Sequence, residues 1–169
     1  MKAVLALFVF SLPLLAQNQS PAVPAACGDL KVSVAVSLDN SQHAVAQPEP
    51  GTARVYFIQD TGLSATFAYP TTKIGVDGQW VGANKKDSYF SVSLEPGDHH
   101  LCAAIQSSIV RRDVELAHLP AEAGKVYFYR TRIILSKGSP EYLGFVPIDS
   151  DEGAYLIASY PLSRSHARK

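Results

Sequence analysis

The sequence predicts an all-β domain, an antiparallel β-sandwich or small barrel of about eight strands with a short C-terminal helix. Two observations carry this reading. Apolar and polar residues alternate with period two through a series of short stretches, the pattern of strands with one face buried. Turn residues (Gly, Pro, Asp and Asn) separate these stretches at regular spacing.

The chain has 169 residues, 47% hydrophobic and 18% charged, with 15 basic and 15 acidic side chains. That length suits one domain, or one domain plus a processed segment, and is short for two full domains. The balanced charge excludes a strongly basic nucleic-acid binder, and the low charged fraction argues against disorder and long coiled coils.

Residues 1–16, MKAVLALFVFSLPLLA, place Lys2 before an apolar run broken only by Ser11 and Pro13. The run falls short of the roughly 20 residues that cross a bilayer as a helix and matches the apolar region of a secretory signal peptide. Ala16 offers one cleavage boundary, and Ser20 with Ala22 a second. Residues 17–29, opening QNQSPAVPAA, are expected to be a flexible spacer. The folded domain is expected over 30–162, with 163–169 a solvated basic tail. No other stretch approaches spanning length, so no transmembrane segment is expected in the mature chain, which is placed in the periplasm or outside the cell.

Cys27 and Cys102 are the two cysteines. In an oxidising compartment such a pair is expected to form a disulfide. A lipid-bearing cysteine would stand directly behind the apolar run. Here the spacer intervenes and Pro24 holds the place where Leu is wanted, which disfavours a lipid anchor at Cys27.

Within the domain, residues 30–38 (LKVSVAVSL) alternate cleanly, and 39–52 read as a loop. Residues 53–60 (ARVYFIQD) are apolar on both faces, as a central strand would be. Asp77-Gly78 is a strong two-residue type I′ hairpin signal. Pairing outward sets Val76 against Gln79, Gly75 against Trp80 and Ile74 against Val81. Trp80 then lies across glycine and shields it, and is the aromatic singled out for contact with a partner. Further strands follow over 88–94, 99–106, 114–121, 125–135 and 143–148. The strands at 114–121 and 125–135 are expected to pair about Ala123-Gly124. Ser150 is placed to cap a helix over 151–159, Asp151 and Glu152 suit its positive end, and Pro161 stops it.

Candidate chemistry is sparse. His99, His100, Cys102 and His118 are the cluster nearest to a metal-ligand set, with His100 and Cys102 on one strand face. Zinc sites want three or four well-spaced ligands, so turn histidines beside a disulfide are preferred to a metal site. No G-x-S-x-G elbow and no G-x-x-x-x-G-K loop is present. Asp149 and Asp151 suit helix capping better than paired-carboxylate catalysis. Lys85-Lys86 and Arg111-Arg112 read as solvated loop tips. Tyr56, Phe57, Tyr127, Phe128 and Tyr129 read as core packing rather than a ligand groove.

The stretches ARVYFIQD at 53–60, TTKIGVDGQWVGANKKDSYFSVSLEPGDHHLCA at 71–103 and AEAGKVYFYR at 121–130 resemble the family called domain of unknown function 2846. Its pattern runs from an A-R-[VI]-Y strand through a V-D-G-x-x-V-G hairpin and an S-Y-F strand to a P-G-x-H turn. An A-x-x-G-K-x-Y-[FY] strand completes it. The hairpin and the Pro96-Gly97-Asp98-His99 turn also resemble PEGA-type surface modules. The resemblance implies an all-β domain of exported bacterial proteins, often lipoproteins, with no assigned activity, cofactor or catalytic residue.

The functional expectation is therefore an exported, noncatalytic β-domain without cofactor. It would act as a binding or structural module toward an unknown protein or polymer of the bacterial cell envelope. The alternative is a metal-binding or redox-sensitive module using His100, Cys102 and His118.

Overall fold

A computed structural model of the chain describes residues 24–41, 44–61, 70–106, 114–134 and 142–168. The export segment and the Arg111-Arg112 pair lie outside these residues. The described elements are β1 (Val34–Asp39), β2 (Ala53–Gln59), β3 (Thr71–Val76), β4 (Gln79–Lys85), β5 (Ser88–Leu94), β6 (Gly97–Gln106), β7 (Val114–Ala121), β8 (Val126–Ile134), β9 (Tyr142–Ile148), α1 (Ser150–Ser159) and β10 (Leu162–Ala167). The strands form a six-stranded sheet, β1-β10-β5-β2-β8-β9, and a four-stranded sheet, β4-β3-β6-β7. The chain is a mainly antiparallel sandwich and not a closed barrel.

Alternation explains how the sheets meet. The inward residues Ala53, Val55 and Phe57 of β2, Phe90 of β5, Tyr129 of β8 and Phe145 of β9 pack against Ile74, Val76, Leu101, Ala103 and Leu119 of the other sheet. The reverse face of β2 carries Tyr56 and Ile58, which with Tyr89 and Phe128 bury against Leu156 and Ile157 of α1. Both faces of β2 are thus covered, which is why the strand is apolar throughout. Gln106, at the end of β6, ties the sheets together through its amide. Its Oε1 accepts from Val34 N at 2.6 Å and its Nε2 donates to Val34 O at 2.9 Å.

Several expectations are corrected. The basic segment read as a solvated tail is strand β10, paired with β1 along its full length from Leu162↔Asp39 to Ala167↔Val34. Its sequence, LSRSHA, has little apolar periodicity, and its partner lies at the other end of the chain. Two pairings are parallel, β2 with β8 and β10 with β5 at Leu162↔Tyr89, where an antiparallel sandwich was expected. The turn at Ala123-Gly124 does not close a hairpin. Gly124, at φ 78°, donates to Thr52 O at 2.8 Å, and the chain crosses from β7 in one sheet to β8 in the other. The first strand begins at Val34 rather than Leu30.

The helix lies where expected, but its cap is Asp149 rather than Ser150. Asp149 has extended backbone (φ −74°, ψ 170°), and its carboxylate accepts from Asp151 N at 2.9 Å and Glu152 N at 2.8 Å. Gly153 lets the helix approach the sheet: a Cβ there would stand 2.4 Å from Cγ and Cδ1 of the buried Phe128. Gly153→Ala gains about 1 kcal/mol of helix propensity but must displace a core ring, an overpacking cost of about 1–3 kcal/mol. The expected net result is lower stability, read as a fall in the urea midpoint with an unchanged slope.

Candidate functional site

The residues singled out from sequence gather around the β3–β4 hairpin. Asp77 and Gly78 take the left-handed conformations (φ 49° and 85°) that a type I′ turn requires. Val76 faces Gln79 and Gly75 faces Trp80, as expected. Ile74 faces Gly82 instead of Val81, because the ladder shifts register between Ile74 and Gly75 and leaves Val81 as a bulge residue. The shift was invisible to simple outward counting. The Trp80 ring covers Gly75, where a Cβ would come 3.3 Å from ring atoms Cε3 and Cζ3.

Asp77 does more than turn the chain. Its Oδ1 accepts from His100 N at 2.8 Å, and its Oδ2 meets His99 Nδ1 at 2.6 Å. The other ring nitrogen of His99 meets Glu95 O at 2.8 Å, so one imidazole ties the hairpin to the β5–β6 turn. Burial alone would lower the His99 pKa, but the bonds to Asp77 and Glu95 and the nearby Asp98 carboxylate raise it overall. Burial alone would raise that of Asp77, but His99, the His100 N–H and the His100 ring lower it overall.

The signs define a pH window. A raised histidine pKa stabilises fully below the unfolded value of about 6.5, and the effect fades as pH rises through the folded value. A lowered aspartate pKa stabilises above about 3.9, and the effect is lost as pH falls through its folded value. The stability difference between wild type and His99→Gln is therefore expected to peak between about pH 4 and 6.5 and to shrink toward pH 9. Asp77 is 47% exposed, so solvent screening holds the ion-pair part below about 1 kcal/mol. Urea titrations at pH 5.5 and pH 9 check this; an equal difference at both values contradicts it.

Residues 24–29, expected to belong to a flexible spacer, pack on the outer face of the four-stranded sheet. Ala26 and Cys27 cluster with Cys102, Trp80 and Val114. A disulfide joins Cys27 to Cys102, their Cα atoms 5.2 Å apart, and closes a separation of 75 residues. A link of that span stabilises by roughly 4 kcal/mol in the chain-entropy model. Trp80 rests on this segment: its Nε1 donates to Asp29 O at 2.8 Å, and a Cβ on Gly28 would come within 2.7 Å of its ring. The indole singled out for a partner thus contacts its own chain on one side and stays half-buried.

The metal reading finds no support among the described residues. His100 and His118 are cross-strand neighbours with ring centroids 5.4 Å apart, and His118 Nε2 lies 3.4 Å from Asp98 Oδ1. Cys102 is fully buried, stands opposite Leu116 and is bonded to Cys27, so it supplies no thiolate. Among the described residues no group of three or more His, Cys, Asp or Glu side chains is placed to hold a metal ion. The aromatics Tyr56, Phe57, Phe128 and Tyr129 are buried, and Tyr127 packs partly buried against the core. Lys85 and Lys86 are exposed.

Two polar groupings escaped the sequence reading. At the end of the sandwich where β2 finishes, Gln59, Thr72, Asn84 and Thr131 are buried. Gln59 Nε2 donates to Pro70 O at 3.0 Å and Asn84 Nδ2 to Phe57 O at 2.9 Å, while their side-chain carbonyl oxygens have no hydrogen-bond partner among the described residues. Beside them, Asp60 joins Arg132 and lies 3.9 Å from Arg130, and it accepts from the Tyr160 hydroxyl at 3.2 Å. Arg130 reaches Glu152 of α1 as well. The signal in the sequence was the alternation Arg130-Thr131-Arg132, which puts both cations on the face that α1 covers.

No curated protein and no solved structure matches the chain. A family model described as protein of unknown function (DUF2846) does match, over residues 49–144, which reach from the loop before β2 into β9. With more than half of its 169 residues matched, the chain belongs to that family.

Proposed function

We propose that this chain is an exported, noncatalytic β-domain that serves as a binding or structural module of the bacterial cell envelope. The disulfide between Cys27 and Cys102 carries the reading, because such bonds persist in oxidising compartments and this one begins shortly after a signal-like segment. The side chains with chemical potential support a structural use. His99 clamps a hairpin, Asp149 caps a helix, and Asp60 joins two arginines. Among the described helices none is long and apolar enough to cross a membrane. Surface side chains open to a partner include Tyr142 and Val146 on β9, the last strand of its sheet, and Tyr155 on α1.

Fractionation of cells expressing the full chain with a C-terminal tag, followed by intact mass, tests the reading. The expected result is an envelope or secreted species that has lost its N-terminal segment and the two cysteine hydrogens. A full-length, reduced protein retained in the cytoplasm overturns it. Turnover of an ester, glycoside or peptide substrate that vanishes on changing one residue overturns the noncatalytic part.

A further inference from the structure

Residues 24–33 join no sheet, yet they lie along the outer face of the four-stranded sheet. Among the described residues a handful of hydrogen bonds hold them, one of which runs from Arg168 N to Ser33 O at 2.8 Å where the segment meets β1. Ala26 O accepts from Gly78 N at 3.2 Å, and Asp29 O accepts from Trp80 Nε1 at 2.8 Å. The buried Lys73 ammonium donates to Leu30 O at 3.1 Å and Val32 O at 2.7 Å, and it sits 4.4 Å from the centre of the Trp80 ring. The segment's internal bonds are local turns, from Cys27 N to Pro24 O and from Val32 N to Asp29 O. Only Ala26, Cys27 and Gly28 within it are buried. Ordering a segment costs entropy for every residue fixed, and each hydrogen bond exchanged with water returns little. The Cys27–Cys102 disulfide adds a covalent link between this segment and β6.

We propose that residues 24–33 are a redox-latched strap, docked while the Cys27–Cys102 disulfide is intact and released when it is reduced, the rest of the sandwich staying folded. The core between the sheets is built from other residues: the cluster of Ala26, Cys27, Cys102, Trp80 and Val114 is separate from it. The strap can therefore leave without opening that core. In the release step the thiolate of a dithiol reductant attacks one sulfur and forms a mixed disulfide. Its second thiol then expels the protein sulfur, so Cys27 and Cys102 become thiols as the reductant becomes a disulfide. The inference goes beyond the proposed function and does not depend on where the chain resides.

Trp80 is the only tryptophan in the chain, so its emission reports the strap directly. The test compares the oxidised chain, the chain treated with dithiothreitol until two free thiols are counted, and Cys27→Ser. Reduction and Cys27→Ser are each expected to shift Trp80 emission to the red. Each should also speed tryptic cleavage after the exposed Lys31 by about tenfold or more, while the strand signal in circular dichroism stays. Unchanged emission and cleavage with both thiols free overturn the latch. Collapse of the strand signal on reduction and in Cys27→Ser also overturns it, because the bond would then hold the whole sandwich. Gly28→Val keeps both cysteines and denies Trp80 its seat. It is expected to shift the emission to the red with no thiol released, and an unmoved emission overturns the assignment of Trp80 as the strap's seat.

Discussion

Phe57→Ala is expected to lower stability by about 3–5 kcal/mol, the range for removing a large aromatic from a packed core. Phe57 is fully buried at the centre of the inter-sheet core, with ring centroids 5.4 Å from Phe90, 6.2 Å from Tyr129 and 6.3 Å from Phe145. The neighbouring side chains come from three different strands, so no single shift fills the space left behind. The same substitution at Tyr155, 71% exposed on α1, is expected to change stability by less than about 0.5 kcal/mol. Urea unfolding of both variants checks the pair. Equal midpoints would show that the core is not where the packing places it.

Asp60→Asn keeps the shape of the side chain and removes its charge. The Asp60 side chain is 8% exposed, joins Arg132, lies 3.9 Å from Arg130 and takes the Tyr160 hydroxyl bond at 3.2 Å. Removing one member of such a group strands the opposite charges, at a cost of about 3–5 kcal/mol when they are buried. The expected loss lies near 3 kcal/mol, at the lower end, because the Arg132 side chain is 42% exposed and partly solvated. The control is Glu49→Gln. The Glu49 side chain is 70% exposed and lies 3.7 Å from Arg54, so its loss is expected to cost less than about 1 kcal/mol. If Asp60→Asn costs no more than Glu49→Gln in thermal unfolding, the buried network is not holding the end of β2 to β8 and α1.

The elements that local chemistry dictates were legible in the sequence. Asp77-Gly78 is a turn because both residues reach positive φ at low cost, and β2 is apolar on both faces because the second sheet covers one and α1 the other. The helix was placed to within a residue, but its cap fell on Asp149, since Asp149 and Ser150 are both good caps and only the backbone at 149 decides between them. The polar cluster of Gln59, Thr72, Asn84 and Thr131 was not legible. These residues sit on faces assigned to the core by alternation, where a polar side chain reads as an interruption. The Cys27–Cys102 disulfide was legible, because the chain's two cysteines leave one pairing, but that His100 faces His118 took the pairing of β6 with β7 to decide.

By itself the sequence determined the fold class, the hairpin, the both-faced central strand and the family, because these follow from periods and turn residues that act within a few positions. Tertiary structure alone decided which strands lie side by side. It made the basic end of the chain a strand beside β1, sent the Gly124 turn across from one sheet to the other, and seated Trp80 under the chain's own N-terminal segment. Pairing between distant strands is set by which edges and faces remain open once the local elements have formed. No local pattern encodes that, and the candidate site lies where those long-range choices meet.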